Sequence, residues 1–247
     1  MITFRVNYFL DLVINFSVDI LIINFISSSK PQFSNLVNNT YGYSNFQTSR
    51  FFGFNLFIKL LLDKILSILF LLLLSPIFVL AIIFILIEDG FPIFSLEQSI
   101  GWDGRRFIVY KLRIFKNDKF GKNVTRDRSD IKILNIGKFL KRLHIDEIPQ
   151  FYNILNGDMS IVGPRPHILT EELMYSKVFK RFLKRNKTVP GLTGWAQVNG
   201  FRGDVKSSDH MQKRMEHDLW YMNNWNIWLD ILIIFKTFFI LFTKPKK

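Results

Sequence analysis

Residues 142–167 read RLHIDEIPQFYNILNGDMSIVGPRPH. Asp146 and Glu147 are adjacent, follow Arg142 closely and precede Pro149. A further acid, Asp158, and a Gly163-Pro164-Arg165-Pro166 corner come next. Acids, arginines and rigid turns at this density suit a phosphorylated substrate and a divalent metal. Upstream, residues 65–87 are 23 consecutive uncharged residues, enough to cross a hydrocarbon core of about 30 Å. An acid-rich site beside such a segment points to chemistry at a bilayer surface.

The apolar segment carries Ser75-Pro76 at its middle, where proline removes a backbone hydrogen bond. Lys59 and Lys64 precede it, and Arg105, Arg106, Lys111 and Arg113 follow. Basic residues on both sides fit a hairpin that enters and leaves on one face. From these residues alone, a re-entrant and a spanning helix stay equally open. Residues 6–26 are apolar except for Asn7, Asp11, Asn15 and Asp19, which recur every fourth residue. That stripe fits an amphipathic helix packed on protein or lying in the interface; two aspartates weigh against a span. Arg5 alone makes a poor signal-peptide start. Residues 27–55, rich in Ser, Asn and Gln, read as a linker.

Downstream, residues 88–120 alternate about a Gly101-Trp102-Asp103-Gly104 turn, a pattern that predicts a β-hairpin. Ile133, Ile136, Leu140 and Leu143 predict an amphipathic helix over 131–143. Helices are also predicted over 169–186, 209–224 and 226–243, with a glycine-dense loop over 190–203. The last helix, with Trp225 and Trp228 at its start, suits a membrane interface.

The chain has 247 residues, 49% hydrophobic and 21% charged, with a net charge of +13. This excess favours lipid headgroups and anionic substrates, and the absence of an aromatic RNA-binding signature argues against nucleic acid. Cysteine is absent, which excludes disulfides and thiolate ligands. The histidines lack metal-ligand spacing, so zinc is not expected.

Asp146 and Glu147 point about 100° apart on a helix, so they need not share one role. One can hold Mg²⁺ through oxygen while the other attacks phosphorus as a carboxylate. Arg142, Lys111, Arg113 and Arg165 would then offset the charge of the phosphate. The structural alternative is that the pair caps a helix beginning at Pro149.

Several motifs stand in order: Ser75-Pro76, Glu97-Gln98, Tyr110 to Arg113, Asp127-Arg128, Gly137 to Leu140, Ile145 to Gln150, Asn156 to Ser160 and Val162 to Pro166. Pro190 to Gly200, Asp218 to Tyr221 and Trp228 to Asp230 complete the series. Over residues 59–240 the chain resembles the bacterial sugar transferases, monotopic polyprenyl-phosphate phosphoglycosyl transferases. The resemblance implies that a sugar 1-phosphate moves from a UDP-sugar to a membrane polyprenyl phosphate, releasing UMP. Asp146 would be the nucleophile and form a covalent phosphosugar intermediate; Glu147 would hold Mg²⁺. Lys111, Arg113, Arg142, Arg165 and Gln197 would contact substrate, and the Ser75-Pro76 break would make the apolar segment re-entrant.

The implied architecture is α+β and mostly helical. A re-entrant membrane helix hairpin over 59–90 follows an N-terminal segment and linker over 1–58. A small cytosolic catalytic domain with interfacial amphipathic helices occupies 91–247, on the cytoplasmic face of the inner membrane or the equivalent organellar face. Membrane lipid is an expected partner and a homo-oligomer is allowed. Two departures stand out. Leu112-Arg113-Ile114-Phe115 replaces the family's Phe-Arg-Ser-Met, which loses a hydroxyl. Only residues 1–58 precede the catalytic part, where larger members carry spanning helices and a nucleotide-binding-like domain. The Gly194 to Gly203 run is similar to the hexose-transferring branch and favours glucose or galactose phosphate. A catalytically silent assembly partner is the competing function.

Overall fold

The computed structural model describes residues 54–116, 132–203, 205 and 207–240. The readings made for residues 6–26 and Asp127-Arg128, and most of that for 27–55, lie outside them; positions 54 and 55, read as the end of a linker, are instead the start of a helix. The described part is mostly helical, with two small sheets and one helix apolar and long enough to cross a membrane.

That helix, α1 (Phe54–Asp89), runs 36 residues and contains Pro76. The proline does not divide it into two helices. Leu72 carbonyl is the acceptor that Pro76, lacking an N–H, leaves open. Ser75 Oγ donates to it at 2.8 Å, so the neighbouring hydroxyl replaces the missing backbone donor.

One stripe of α1 packs on protein along both halves. Lys59, Asp63 and Ser67 are buried before the proline, and Ala81 and Ile85 after it. They are spaced by four or fourteen residues, close to whole turns of a 3.6-residue helix, which puts them on one face. The opposite face stays exposed, with Leu72 at 69% and Leu73 at 68%. An unbroken exposed apolar face of this length is the mark of a membrane-associated helix.

After α1, β1 (Phe94–Ile100) and β2 (Arg106–Leu112) pair antiparallel, with Phe94 opposite Leu112 and Ile100 opposite Arg106. This is the expected hairpin, closed by Gly101 to Gly104, with Asp103 and Gly104 at positive φ. Helix α2 (Asn135–Leu143) follows. Ala81, Ile85, Leu112, Ile114, Leu134 and Leu140 form the cluster that joins α1, β2 and α2. Glu88 accepts from the free N–H groups of Asn135 and Ile136, so the C-terminal end of α1 caps α2.

A 3₁₀ turn (Ile145–Glu147) leads into α3 (Gln150–Asn156). Then come β3 (Ser160–Val162), α4 (Leu169–Val178), a 3₁₀ stretch (Phe182–Lys187) and β4 (Gly191–Thr193). The pattern over 169–186 predicts one helix; Phe179 and the residues after it break it in two. Strands β3 and β4 are parallel and extremely close. A Cβ on Gly191 would lie 2.0 Å from Gly163 N, and one on Gly194 would lie 2.3 Å from Gly163 O. Only glycine fits this crossing, which brings the Gly163 to Pro166 corner against the 190–194 loop.

The chain ends its described part with α5 (Trp195–Val198), α6 (Ser208–Asn224) and α7 (Ile227–Ile240). Leu229, Asp230 and Ile233 of α7 are buried, and Thr237 reaches Thr193 of β4 at 2.7 Å. Trp228, Ile231, Phe235, Phe238 and Phe239 are exposed. Trp225 is not the surface anchor expected from its position. It is buried, and its indole N–H donates to Asp230 at 3.1 Å.

Candidate active site

Asp146 and Glu147 occupy the 3₁₀ turn between α2 and α3, and neither caps a helix through its side chain. His144 sets up this turn. It ends α2 in the left-handed conformation, φ 57°, and its N–H returns to Leu140 and Lys141 carbonyls. The next residues start a tighter turn in a new direction, which carries Asp146 inward.

The two carboxylates then meet different surroundings. Glu147 is paired with Arg165 from the Gly-Pro-Arg-Pro corner: Arg165 Nη2 donates to one oxygen and Nη1 to the other at 3.4 Å. Asp146 is buried, and its Oδ1 has no hydrogen-bond partner. Burial, and then the charge of Glu147, push the Asp146 carboxyl up to about 7, against the opposing pull of Lys111 and Arg165. Burial would also raise Glu147, but Arg165, His144 and Lys111 together hold it well below the usual carboxylate range. One acid is fixed as an anion; its neighbour is poised near neutrality.

Lys111 comes from β2. Its Nζ bonds Glu97 of β1 at 2.7 Å, a diagonal cross-strand pair on one face of the hairpin. The hairpin is held to α3 by Asn153, fully buried, whose side-chain amide takes the place of a strand. It accepts from Tyr110 N at 3.1 Å and donates to Ile108 O at 2.6 Å.

Three residues expected to contact substrate do not join this group. Arg113 bonds the backbone around the end of α1 instead. Its Nε donates to Pro92 O, Nη1 to Asp89 and Phe115 O, and Nη2 to the Asp89 and Gly90 carbonyls. All five guanidinium donors are committed, which ties the end of α1 to β2 and leaves none for phosphate. Arg142 is exposed on α2 and takes no part in the ion pairs of the site. Gln197 closes the β4–α5 turn through Nε2 to Leu192 O at 3.1 Å, with its Oε1 buried and unpartnered.

Other residues position the site: Arg185 and Arg214 escaped the sequence reading, and Asp218 stood there in a motif without a role. Arg185 Nε pairs with Asp218 of α6 at 2.8 Å, and its Nη2 donates to Arg165 O at 2.6 Å. Both side chains are almost fully buried, so the backbone beneath Arg165 is anchored to α6. One turn earlier on α6, Arg214 donates to Phe201 O at 3.1 Å and Gly203 O at 2.7 Å. Burial and the nearby Arg165 push the Arg214 guanidinium down to about 10. Beyond the Asp218 to Tyr221 motif, the signal in the sequence is the i, i+4 spacing of Arg214 and Asp218 among Met211, Met215 and Tyr221.

A second polar group lies where α1 begins. Lys59 Nζ bonds Asp230 at 2.6 Å and Val162 O at 3.0 Å. Asp63 accepts from Ser160 Oγ at 2.7 Å and Ile161 N at 3.2 Å, and Tyr221 OH donates to Asp230 at 2.7 Å. Lys59 is therefore buried in protein rather than spread on headgroups.

Among the described residues no group of three or more metal-ligating side chains occurs. Mg²⁺ does not require one: it takes one or two carboxylates, completing its shell with water and substrate phosphate. Glu147, held as an anion beside the open Asp146 oxygen, fits that habit.

The bacterial sugar transferase family model matches residues 54–244. A Klebsiella pneumoniae protein named UDP-glucose:undecaprenyl-phosphate glucose-1-phosphate transferase is 40% identical over 190 residues, 76% of this chain and 40% of that protein. An Aeromonas hydrophila UDP-N-acetylgalactosamine-undecaprenyl-phosphate N-acetylgalactosaminephosphotransferase is 35% identical over 184 residues, 73% of this chain and 43% of that protein. The Bacillus subtilis uncharacterized sugar transferase EpsL is 33% identical over 178 residues, 72% of this chain and 83% of that protein. The chain thus spans less than half the length of the first two. With the match running from the start of α1 past the end of α7, this chain belongs to the bacterial sugar transferase family.

Proposed function

We propose that the chain transfers a sugar 1-phosphate from a UDP-sugar to a membrane polyprenyl phosphate, with UMP as the other product. The observation that carries this reading is the unlike pair: a buried Asp146 with an open oxygen, next to a Glu147 neutralised by Arg165. An aspartate nucleophile must be desolvated enough to attack an anion and yet ionised. Burial supplies the first, and Lys111 and Arg165 favour the second. Asp146 Oδ1 bonds to the sugar-bearing phosphorus, the bond to UMP breaks, and UMP leaves with the electron pair. The acceptor phosphate then displaces Asp146 from the same phosphorus. Lys111 and Arg165 face the charge that gathers on the phosphoryl oxygens in both steps.

Mg²⁺ is proposed at Glu147, where it would neutralise the diphosphate. The relatives' names support a UDP-sugar and undecaprenyl phosphate; the donor is proposed as a hexose. We further propose that α1 dips into one leaflet and returns, with residues 91–247 as the catalytic domain on the cytoplasmic face. Burial on one stripe before and after Pro76 supports this, since both halves pack on one catalytic body. The exposed aromatic face of α7 suits the same lipid interface.

Incubation of the purified chain with radiolabelled UDP-hexoses, Mg²⁺ and undecaprenyl phosphate tests the reaction. Lipid-linked sugar and UMP are expected in equal amounts. Failure of every donor would leave the catalytically silent assembly partner as the better account.

A further inference from the structure

Gln150 opens α3 one turn beyond Asp146 and is 2% exposed, yet its amide nitrogen has no acceptor. Right-handed helical turns link the two residues without a break. Glu147 N donates to His144 O, Ile148 N to Ile145 O, Phe151 N to Ile148 O and Tyr152 N to Pro149 O. Within α3, residues 150 and 153 share one face, and Asp146 precedes Gln150 by four residues across the 3₁₀ turn. Asn153 fixes the direction of that face, because its amide bonds β2 at Ile108 and Tyr110. Lys111 is the next residue on β2, and its charge acts on both carboxylates. Gln150 thus follows Asp146 in the chain and lies on the side of α3 that Asn153 turns to β2.

Two buried atoms in one turn are left open: the Asp146 Oδ1 acceptor and the Gln150 Nε2 donor. A bond between them would satisfy both and is not made. A buried donor without a partner is rare in a folded protein and calls for an explanation. A group that is attacked by the first atom and accepts from the second would complete the site, and a phosphoryl group has both properties.

We propose that Gln150 is a substrate-binding residue whose amide donates to a non-bridging oxygen of the phosphoryl group that Asp146 attacks. The proposal rests on the transfer reaction proposed above. Gln150 gives up no proton. Its hydrogen bond strengthens as negative charge gathers on that oxygen, so its effect falls on kcat more than on KM.

Gln150→Met separates this role from a structural one, because it keeps length and volume while removing the amide. UMP release at saturating UDP-hexose should fall 100-fold or more with KM within threefold, as for loss of one oxyanion donor. The melting temperature should hold or rise, since an unsatisfied buried donor is gone. A rate within threefold of the unaltered chain would overturn the proposal. So would a fall in melting temperature with a loss of rate no larger than the loss of folded protein. If Gln150→Met does not fold, Gln150→Asn retains the amide one methylene short; a kcat loss of about tenfold supports the proposal and an unchanged kcat overturns it. If the unaltered chain releases no UMP from any UDP-hexose, the transfer reading itself has failed, a result distinct from either variant outcome.

Discussion

Two neighbouring carboxylates of opposite character mark the candidate site of this molecule. Their difference comes from direction. Glu147 turns toward the Gly-Pro-Arg-Pro corner and finds Arg165, while Asp146 turns into the protein and finds no partner for Oδ1. The pair and Arg165 could be picked out in the sequence because they crowd turn-forming residues, and Lys111 because it stands in the Tyr110 to Arg113 motif. Arg113 could not be judged there: its five partners are mostly backbone carbonyls, which leave no trace in residue types. Arg185 was equally hidden: Asp218 stands in a motif of the series, but its partner lies 33 positions away and only the fold joins them. A stability prediction belongs to Asp146. Burial and Glu147 raise its folded pKa from 3.8 to about 7. The folded state therefore binds this proton more tightly than the unfolded chain. Its contribution is fully present below about pH 4 and is lost as pH rises through about 7. In metal-free buffer, Asp146→Asn should melt at or above the unaltered chain's temperature, with the gap widening between pH 5 and 8. Each kcal/mol of widening is worth about 2–4 °C at this size. A gap that does not change with pH would contradict the assignment of a buried, unpaired carboxylate.

At the scale of elements, α1 shows where residue patterns inform and where they stop. Its apolar length and polar ends were plain in the sequence, as was the hairpin over 88–120. The outcome at Ser75-Pro76 was not, because a proline in a helix opens a carbonyl but does not say what fills it. Here Ser75 Oγ does so, and the helix continues. At about 1.5 Å per residue, 36 residues extend about 54 Å, far beyond a 30 Å core. Such a helix must tilt strongly, bend or lie along the interface. The chain has no cysteine, so single cysteines report its course directly. Asn55→Cys and Phe91→Cys, one near each end of α1, should both react with a membrane-impermeant maleimide from the cytoplasmic side only. Reaction from opposite sides would establish a crossing and remove the re-entrant arrangement.

The molecule as a whole draws its site from distant segments and locks them together with polar contacts rather than apolar packing alone. At one end of α1, Lys59 and Asp63 join β3, α6 and α7; at the other, Glu88 and Asp89 join α2 and β2. The close crossing of β3 and β4 sets the corner that carries Arg165, and α6 holds it through Asp218 and Arg185. A helix facing lipid is thereby coupled at both ends to the elements that bear Lys111, Asp146 and Arg165. This arrangement suits a reaction between a soluble nucleotide sugar and a lipid whose phosphate lies at the interface. In the proposed reaction Asp146 carries the sugar phosphate between them. Intact-mass measurement after mixing the chain with UDP-hexose and Mg²⁺, without lipid acceptor, tests this most directly. A gain equal to one hexose phosphate, matched by released UMP, mapped to Asp146 and discharged by undecaprenyl phosphate, is the predicted result. The same mass gain in Asp146→Asn, or lipid-linked product formed by that variant, would contradict it.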